Sequence, residues 1–158
     1  AAANHMLKKL VKSPARNWLV AWHQDLSLPM AQRVEAPGWH GWSIKHGVHF
    51  AQPPATDLAR VLAVRLHLDD CGPNDGALRV SPATHTLGVL TGDALTAARQ
   101  HHGAHLCTAS AGDALLLRPL LLHASSKSTS GRQRRVLHLV LAPRDLPPGL
   151  QWRWSVGA

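Results

Sequence analysis

The chain has 158 residues, of which 45% are hydrophobic and 16% are charged. This length fits one domain, and the apolar fraction is sufficient for a core, which excludes general disorder. No apolar run reaches the roughly 18 residues of a membrane span. The two cysteines, Cys71 and Cys107, are too few for a disulfide framework or a four-thiolate zinc site. We therefore expect a single cytoplasmic domain over residues 1–158.

The net charge is +8, from 17 Lys and Arg against 9 Asp and Glu. The basic residues lie towards both ends of the chain, so a solvated basic surface explains them as well as a nucleic-acid site does. Since the net charge alone suggests nucleic-acid binding, we do not expect it. The 12 histidines are more informative, because His is the commonest metal ligand.

Residues 1–5 resemble a remnant or ragged end, and we expect the chain to be truncated at its N-terminus. From residue 6 onward, short β-type segments alternate with turn signals. We predict the clearest strands at residues 17–25, 61–68, 77–80, 114–123 and 134–142. The segment 29–54 is rich in proline and glycine and is predicted to be a long loop or lid. A helical turn at 56–60 and a helix at 91–100, capped by Asp93, complete the prediction. Many short strands with one helix favour a sandwich or barrel.

A candidate metal site lies on these strands. His23 and Asp25 are two residues apart on a predicted strand, so their side chains project from the same face. Taken alone, this pair is equally a surface His beside a surface Asp, and His123 is equally a polar residue that ends an apolar strand. Arg134 opens the next strand. Two His and one carboxylate form the facial triad of non-haem iron oxygenases, and a nearby arginine can bind the far end of a dicarboxylate.

Three ordered stretches resemble the phytanoyl-CoA dioxygenase family of Fe(II)- and 2-oxoglutarate-dependent oxygenases. They are Trp22-His23-Gln24-Asp25, the run NDGALRVSPATH that ends at His85, and the segment 112–137 that contains His123 and Arg134. Ala83 departs from the family pattern, which usually has Gly at this position. Fewer residues also precede His23 than is usual in the family.

The resemblance implies a mainly β fold, the double-stranded β-helix or cupin-like jelly roll, with few short helices. It implies that His23, Asp25 and His123 bind Fe(II), and that Arg134 binds the far carboxylate of the cosubstrate 2-oxoglutarate. The implied reaction uses O₂ to hydroxylate an unactivated C–H bond of a small organic substrate, with succinate and CO₂ as co-products. Asp25 favours hydroxylation over halogenation, because halogenating relatives replace this carboxylate; desaturation and ring-forming oxidation stay open.

Further residues are weaker candidates. Ser125 is expected either to share the carboxylate with Arg134 or to cap a loop. Arg65 lies where relatives often place a cosubstrate or substrate contact, although a surface pair with an aspartate is an equal reading. In the predicted lid, Trp39, Trp42 and Gln52 are candidates for the substrate pocket, against simple lid packing. The alternative function is a metal-binding cupin-like module, or a degenerate relative, without oxygenase activity.

Overall fold

The computed structural model describes residues 4–154, which form a mainly β structure. The strands are β1 (Asn4–Lys12), β2 (Val20–His23), β3 (Leu28–Met30), β4 (His40–Lys45), β5 (Val48–Gln52), β6 (Leu62–His67), β7 (Leu78–Val80), β8 (His105–Cys107), β9 (Ala114–Leu117), β10 (His123–Ser125) and β11 (Arg134–Ala142). The helices are α1 (Ala55–Leu58), a 3₁₀-helix (Thr84–Leu87) and α2 (Gly92–His102). Within residues 4–154, none of the helices is both long and apolar enough to cross a membrane.

Two four-stranded sheets form the body of the fold. Their strand orders are β1-β11-β6-β9 and β2-β10-β7-β8, and every pairing is antiparallel. The two sheets meet through Ala63 of β6, Leu78 of β7 and Leu117 of β9, which are buried in one apolar cluster. This arrangement is the predicted jelly roll.

Strand β11 shows how the sequence forms the interior. Its residues alternate between buried and half-buried along the whole strand, as expected when successive side chains point to opposite faces of a sheet. At one end the buried positions are apolar, Val140 and Ala142; towards the other end they include the polar Arg134 and His138, with the apolar Val136 between them. Because buried polar residues lie at one end of the interior, that end is the candidate position for a functional site.

The prediction of a loop or lid over residues 29–54 is wrong. This segment forms most of a third sheet, with the strand order β3-β5-β4. Pro29 lies in the edge strand β3, where a missing N–H is tolerated. The β4–β5 hairpin turns at His46 and Gly47, whose φ angles of 51° and 74° are those of a primed hairpin turn. The proline and glycine residues therefore mark an edge strand and a tight turn, rather than an absence of structure.

The predicted strand over residues 114–123 is also wrong as a single element. It is divided between β9 and β10, which belong to different sheets. The chain turns between them, where the Leu121 N–H donates to the Arg118 carbonyl at 3.0 Å. Pro119 within this turn has no N–H for a strand ladder. The break takes His123 out of the first sheet and places it in the second.

The helix predicted at residues 91–100 is confirmed as α2, but its cap is not Asp93. The N-cap residue is Thr91, no side chain caps the helix, and Asp93 lies in the first turn. A carboxylate in the first turn still interacts favourably with the helix dipole.

Candidate active site

Neighbouring strands of the second sheet bring His23, Asp25 and His123 together. His23 on β2 lies directly opposite His123 on β10 in the antiparallel ladder. Asp25 follows the end of β2, and its carboxylate oxygens lie 3.6 Å from the Nε2 of His23 and 3.5 Å from the Nε2 of His123. One ligand atom from each of the three residues lies within 4.8 Å of the other two. The three predicted ligands therefore face one point in space.

Both imidazoles are oriented by the same backbone contact. The Nδ1 of His23 lies 2.8 Å from the carbonyl oxygen of Ala21, and the Nδ1 of His123 lies 2.8 Å from that of Leu121. A carbonyl only accepts, so in the neutral ring Nδ1 carries the hydrogen and donates it. The Nε2 lone pair of each ring is then free to bind a metal, as in metal-ligating histidines whose other nitrogen donates to a carbonyl.

Gln24 fixes the backbone between the first two ligands. Its amide is buried, donates to the carbonyl oxygens of Gly88 and Leu120, and accepts from the N–H of Leu90. The Asp25 N–H donates to the Pro119 carbonyl at 2.9 Å. Sequence analysis did not identify Gln24 as a positioning residue.

The electrostatics of Asp25 and His123 suit metal ligands, whereas the contact with the Asp25 carboxylate raises the pKa of His23. Burial raises the pKa of Asp25, but the neighbouring imidazoles of His23 and His123 lower it, and the resulting pKa is about 2. Burial lowers the pKa of His123. At neutral pH, Asp25 is therefore ionised and His123 is neutral, which are the protonation states in which these side chains bind metals.

A cavity of about 180 Å³ opens beside the three ligands. It lies between the two sheets, with strands of both contributing side chains. Its lining residues are Leu10, Lys12, Trp18, Val20, His23, Asp25, Arg65, Leu78, His123, Ala124, Ser125, Arg134 and His138. The triad is therefore accessible to a small molecule from this side.

Three buried cations face the same cavity: Lys12, Arg65 and Arg134, which are 1%, 7% and 3% exposed. Lys12 and Arg134 lie opposite each other on β1 and β11. The Lys12 ammonium donates to the Ser125 Oγ at 3.1 Å and to the carbonyl of Ser126. Burial and the charges of Arg134 and Arg65 lower the pKa of Lys12 to about 8. Such a cluster favours an anionic ligand, because buried charges are costly unless paired.

Arg134, the predicted cosubstrate contact, and Ser125, predicted either to share that carboxylate or to cap a loop, both lie in this cavity. The neighbouring arginines do not: Arg132 pairs with Asp75 at 2.6 Å and Arg135 pairs with Asp69 at 2.6 Å. Arg65 also lies in the cavity, so the reading of Arg65 as a surface partner of an aspartate is wrong. Its position on β6, with alternate residues buried, turns its side chain inwards.

Trp39, Trp42 and Gln52, the candidates for the substrate pocket, do not line the cavity. Trp39 is buried, and Trp42 packs on the same apolar cluster, which includes Met30 and Leu150. Gln52 lies on β5, in the third sheet. Both tryptophans are therefore packing residues rather than pocket residues, because the segment 29–54 forms a sheet that packs on this apolar cluster.

Sequence analysis missed Lys12 as a residue of the site. Lysine is seldom fully buried, so this residue was counted only as part of the basic surface. Its signal is strand parity: Leu10 and Lys12 share one face of β1, and Lys12 lies opposite Arg134. The pairing of β1 with the last strand was not visible in the sequence.

The family model for phytanoyl-CoA dioxygenase (PhyH) matches residues 1–136 of the chain. A comparison with curated proteins gives no match.

Solved structures show the same fold. AviO1 from Streptomyces viridochromogenes is 24% identical with a TM-score of 0.59, and the match covers 91% of this chain and 53% of AviO1. EctD from S. alaskensis in its apoform is 18% identical with a TM-score of 0.62, over 96% of this chain and 51% of EctD. The non-haem alpha-ketoglutarate-dependent carbocyclase SnoK from nogalamycin biosynthesis is 17% identical with a TM-score of 0.61, over 99% and 54% of the two chains. The chain thus spans about half the length of these proteins.

Proposed function

Because this chain belongs to the phytanoyl-CoA dioxygenase family, we propose that it is a non-haem Fe(II)- and 2-oxoglutarate-dependent dioxygenase. The proposed reaction is hydroxylation of an unactivated C–H bond of a small organic substrate. The observation that carries the proposal is the ligand set itself: two Nε2 atoms and one carboxylate, within 4.8 Å of one another, beside a cavity lined by cations.

In this proposal, His23, Asp25 and His123 hold the iron on one side. A facial arrangement of two His and one carboxylate leaves open positions for other ligands. When bound, iron and 2-oxoglutarate supply the oxidising power, and succinate and CO₂ are the co-products. The bonds from Nδ1 of each histidine to a main-chain carbonyl fix both rings before metal binding, so ligand geometry does not depend on side-chain reorganisation.

The far carboxylate of 2-oxoglutarate is assigned to Arg134, Lys12 and Ser125. Arg134 and Lys12 face each other across the β1–β11 ladder, and Ser125 accepts a hydrogen bond from Lys12. An arginine and a lysine together form charge-assisted hydrogen bonds with a carboxylate. Arg134 has unpaired buried Nε and Nη1 groups within the described residues, so its donors are available.

The proposal also specifies one reaction class, hydroxylation. Among the similar structures, SnoK is a carbocyclase and SnoN is an alpha-ketoglutarate-dependent epimerase, so this fold supports more than one outcome. Asp25 supports hydroxylation over halogenation, because the family resemblance implies that halogenating relatives lack this carboxylate. A cytoplasmic location, a small-molecule substrate and the absence of nucleic-acid binding stay predictions.

An anaerobic titration tests the proposed cofactors. The purified chain with Fe(II) and 2-oxoglutarate should develop a weak visible metal-to-ligand charge-transfer band, which Fe(II) alone should not produce. His123→Ala should lose the band, and the exposed His101→Ala should keep it as a matched control. A metal-binding module without oxygenase activity would bind Fe(II) and give no such band, and that result would reject the proposal. Succinate formation across a substrate panel then identifies the reaction.

A further inference from the structure

Arg65 is a buried cation in the cavity that the proposed binding of 2-oxoglutarate does not require. Lys12, Arg134 and Ser125 are adjacent and together provide the donors for one carboxylate. Arg65 comes from β6, where it lies opposite His138 on β11. Its side chain is 7% exposed, and its Nε has no hydrogen-bond partner within residues 4–154.

Other arginines of the fold are paired with carboxylates. Arg60, Arg132 and Arg135, whose side chains are largely exposed, each form a 2.6 Å ion pair with an aspartate. No carboxylate of the described chain forms an ion pair with Arg65, Arg134 or Lys12. The most buried cations are therefore the ones left without an anionic partner. A buried charge without a partner is costly, so a ligand is expected to supply one.

A charge count shows that the cosubstrate alone is not enough. Lys12, Arg65 and Arg134 bring three positive charges to the cavity, and Asp25 brings one negative charge. A divalent iron adds two positive charges, and dianionic 2-oxoglutarate adds two negative charges. Two positive charges in a mostly buried site then stay uncompensated.

We propose that the substrate is an anion, and that Arg65 binds its carboxylate or phosphate group. This inference rests on the proposed function, since it takes 2-oxoglutarate to occupy the Arg134 end of the cavity. Burial lowers the pKa of Arg65 to about 10, with a further contribution from Arg134, so the guanidinium is charged at neutral pH. A guanidinium binds carboxylate and phosphate groups in the same bidentate manner.

The size of the cavity limits where the anionic group sits. Its volume is about 180 Å³, below the roughly 300–1,000 Å³ of typical ligand pockets. Arg65 and the three metal ligands line this one small cavity, so a group bound by Arg65 lies near the metal ligands. The anionic group should therefore lie close in the substrate to the carbon that reacts, with the rest of the molecule outside.

A matched set of four-carbon probes tests this inference. Butyrate, butyl phosphate, butylamine and butyramide are titrated into the anaerobic chain loaded with Fe(II) and 2-oxoglutarate, and binding is followed by calorimetry and by the charge-transfer band. Butyrate, butyl phosphate or both should bind, and the amine and the amide should not. Arg65→Gln should weaken anion binding at least tenfold and change the dissociation constant of 2-oxoglutarate less than threefold.

Two further variants keep the test interpretable. Arg65→Lys preserves the charge and should retain part of the anion binding. Arg79→Gln removes a half-buried arginine that lies over the Trp22 ring, outside the cavity, and should leave all binding unchanged. Thermal unfolding of each variant establishes that it is folded.

Several results would overturn the inference. They are equal binding of the neutral amide, unchanged anion binding in Arg65→Gln, no anion binding by the wild-type chain, or a loss in Arg65→Gln that falls on 2-oxoglutarate. The last result would assign Arg65 to the cosubstrate. Absence of the charge-transfer band in the wild-type chain would instead reject the proposed function, so the two failures are distinguishable.

Discussion

His23 and His123 face each other across the β2–β10 ladder, with their ring centroids 4.2 Å apart. Two hydrogen-bonded strands thus set the spacing of both nitrogen ligands, and the short step from His23 to Asp25 adds the carboxylate. The ligand geometry is therefore a property of the backbone, which holds before any metal is bound.

Loss of either histidine should abolish tight Fe(II) binding. His23→Ala and His123→Ala each leave two protein ligands. The affinity should fall by more than the roughly 10–100-fold that loss of an outer-shell partner costs. Anaerobic calorimetry with Fe(II) measures this, with the exposed His101→Ala as control. Unchanged Fe(II) affinity in both variants would remove the assignment of the metal site.

Arg134→Gln should raise the requirement for 2-oxoglutarate and leave Fe(II) binding nearly intact. Loss of a hydrogen bond to a charged group costs about 1.5–3 kcal/mol, or one to two decades in affinity. The matched control is Arg132→Gln, because Arg132 pairs with Asp75 outside the cavity. If only Arg132→Gln weakened 2-oxoglutarate binding, the assignment of Arg134 would be wrong.

Asp25 substitutions separate its role as a ligand from that of a surface residue. Asp25→Ala should still bind iron and 2-oxoglutarate, though more weakly, and should lose hydroxylation by orders of magnitude. Asp25→Glu should also be poor, because a misplacement of about 1 Å can cost around 100-fold. Succinate and product formation with an identified substrate measure both effects. A surface carboxylate would instead change stability by no more than about 0.5 kcal/mol, with normal turnover.

The affinity for 2-oxoglutarate should fall as the pH rises above 8. The pKa of Lys12 is lowered to about 8 by burial and by Arg134 and Arg65, while Cys71 has the opposite effect; Ser125 and the Trp18 ring also contact the ammonium. Only the protonated lysine attracts a carboxylate. Above pH 8, binding must therefore take up a proton, with a slope of up to about tenfold per pH unit.

Calorimetry between pH 7 and 9, in buffers of different ionisation enthalpy, measures this proton uptake. Lys12→Met is the control variant: its affinity should be lower at pH 7 and nearly independent of pH. A wild-type affinity that stays constant over this range would show that Lys12 does not contact the cosubstrate.

Ala83→Gly should stabilise the fold. Ala83 has a φ of 62°, in the left-handed region that costs a residue with a Cβ roughly 1–2 kcal/mol. Glycine removes this strain at the cost of some entropy in the unfolded chain, so we expect a net gain of about 0.5–1 kcal/mol. Urea unfolding measures the change. The neighbouring Pro82→Gly serves as a contrast and should not stabilise, since no positive φ is relieved there.

Sequence patterns predicted the structure where the pattern lies within one short segment. The alternation in β6 and β11 predicts both strands, and the spacing of His23 and Asp25 predicts their shared face. The sequence did not predict the structure where it depends on pairing between strands that are far apart in the chain. Residues 29–54 look irregular until β3 and β4 both pair with β5, and Lys12 looks exposed until β1 pairs with β11.

The order of strands in the two sheets has a consequence for folding. Among the described residues, β1 pairs with β11 and β2 pairs with β10, so the site joins segments that are far apart in the sequence. Closing such long loops costs entropy before any contact repays it, and topologies of this kind fold slowly. No short fragment of the described chain contains the three ligands, so the ability to bind metal should require the assembled fold.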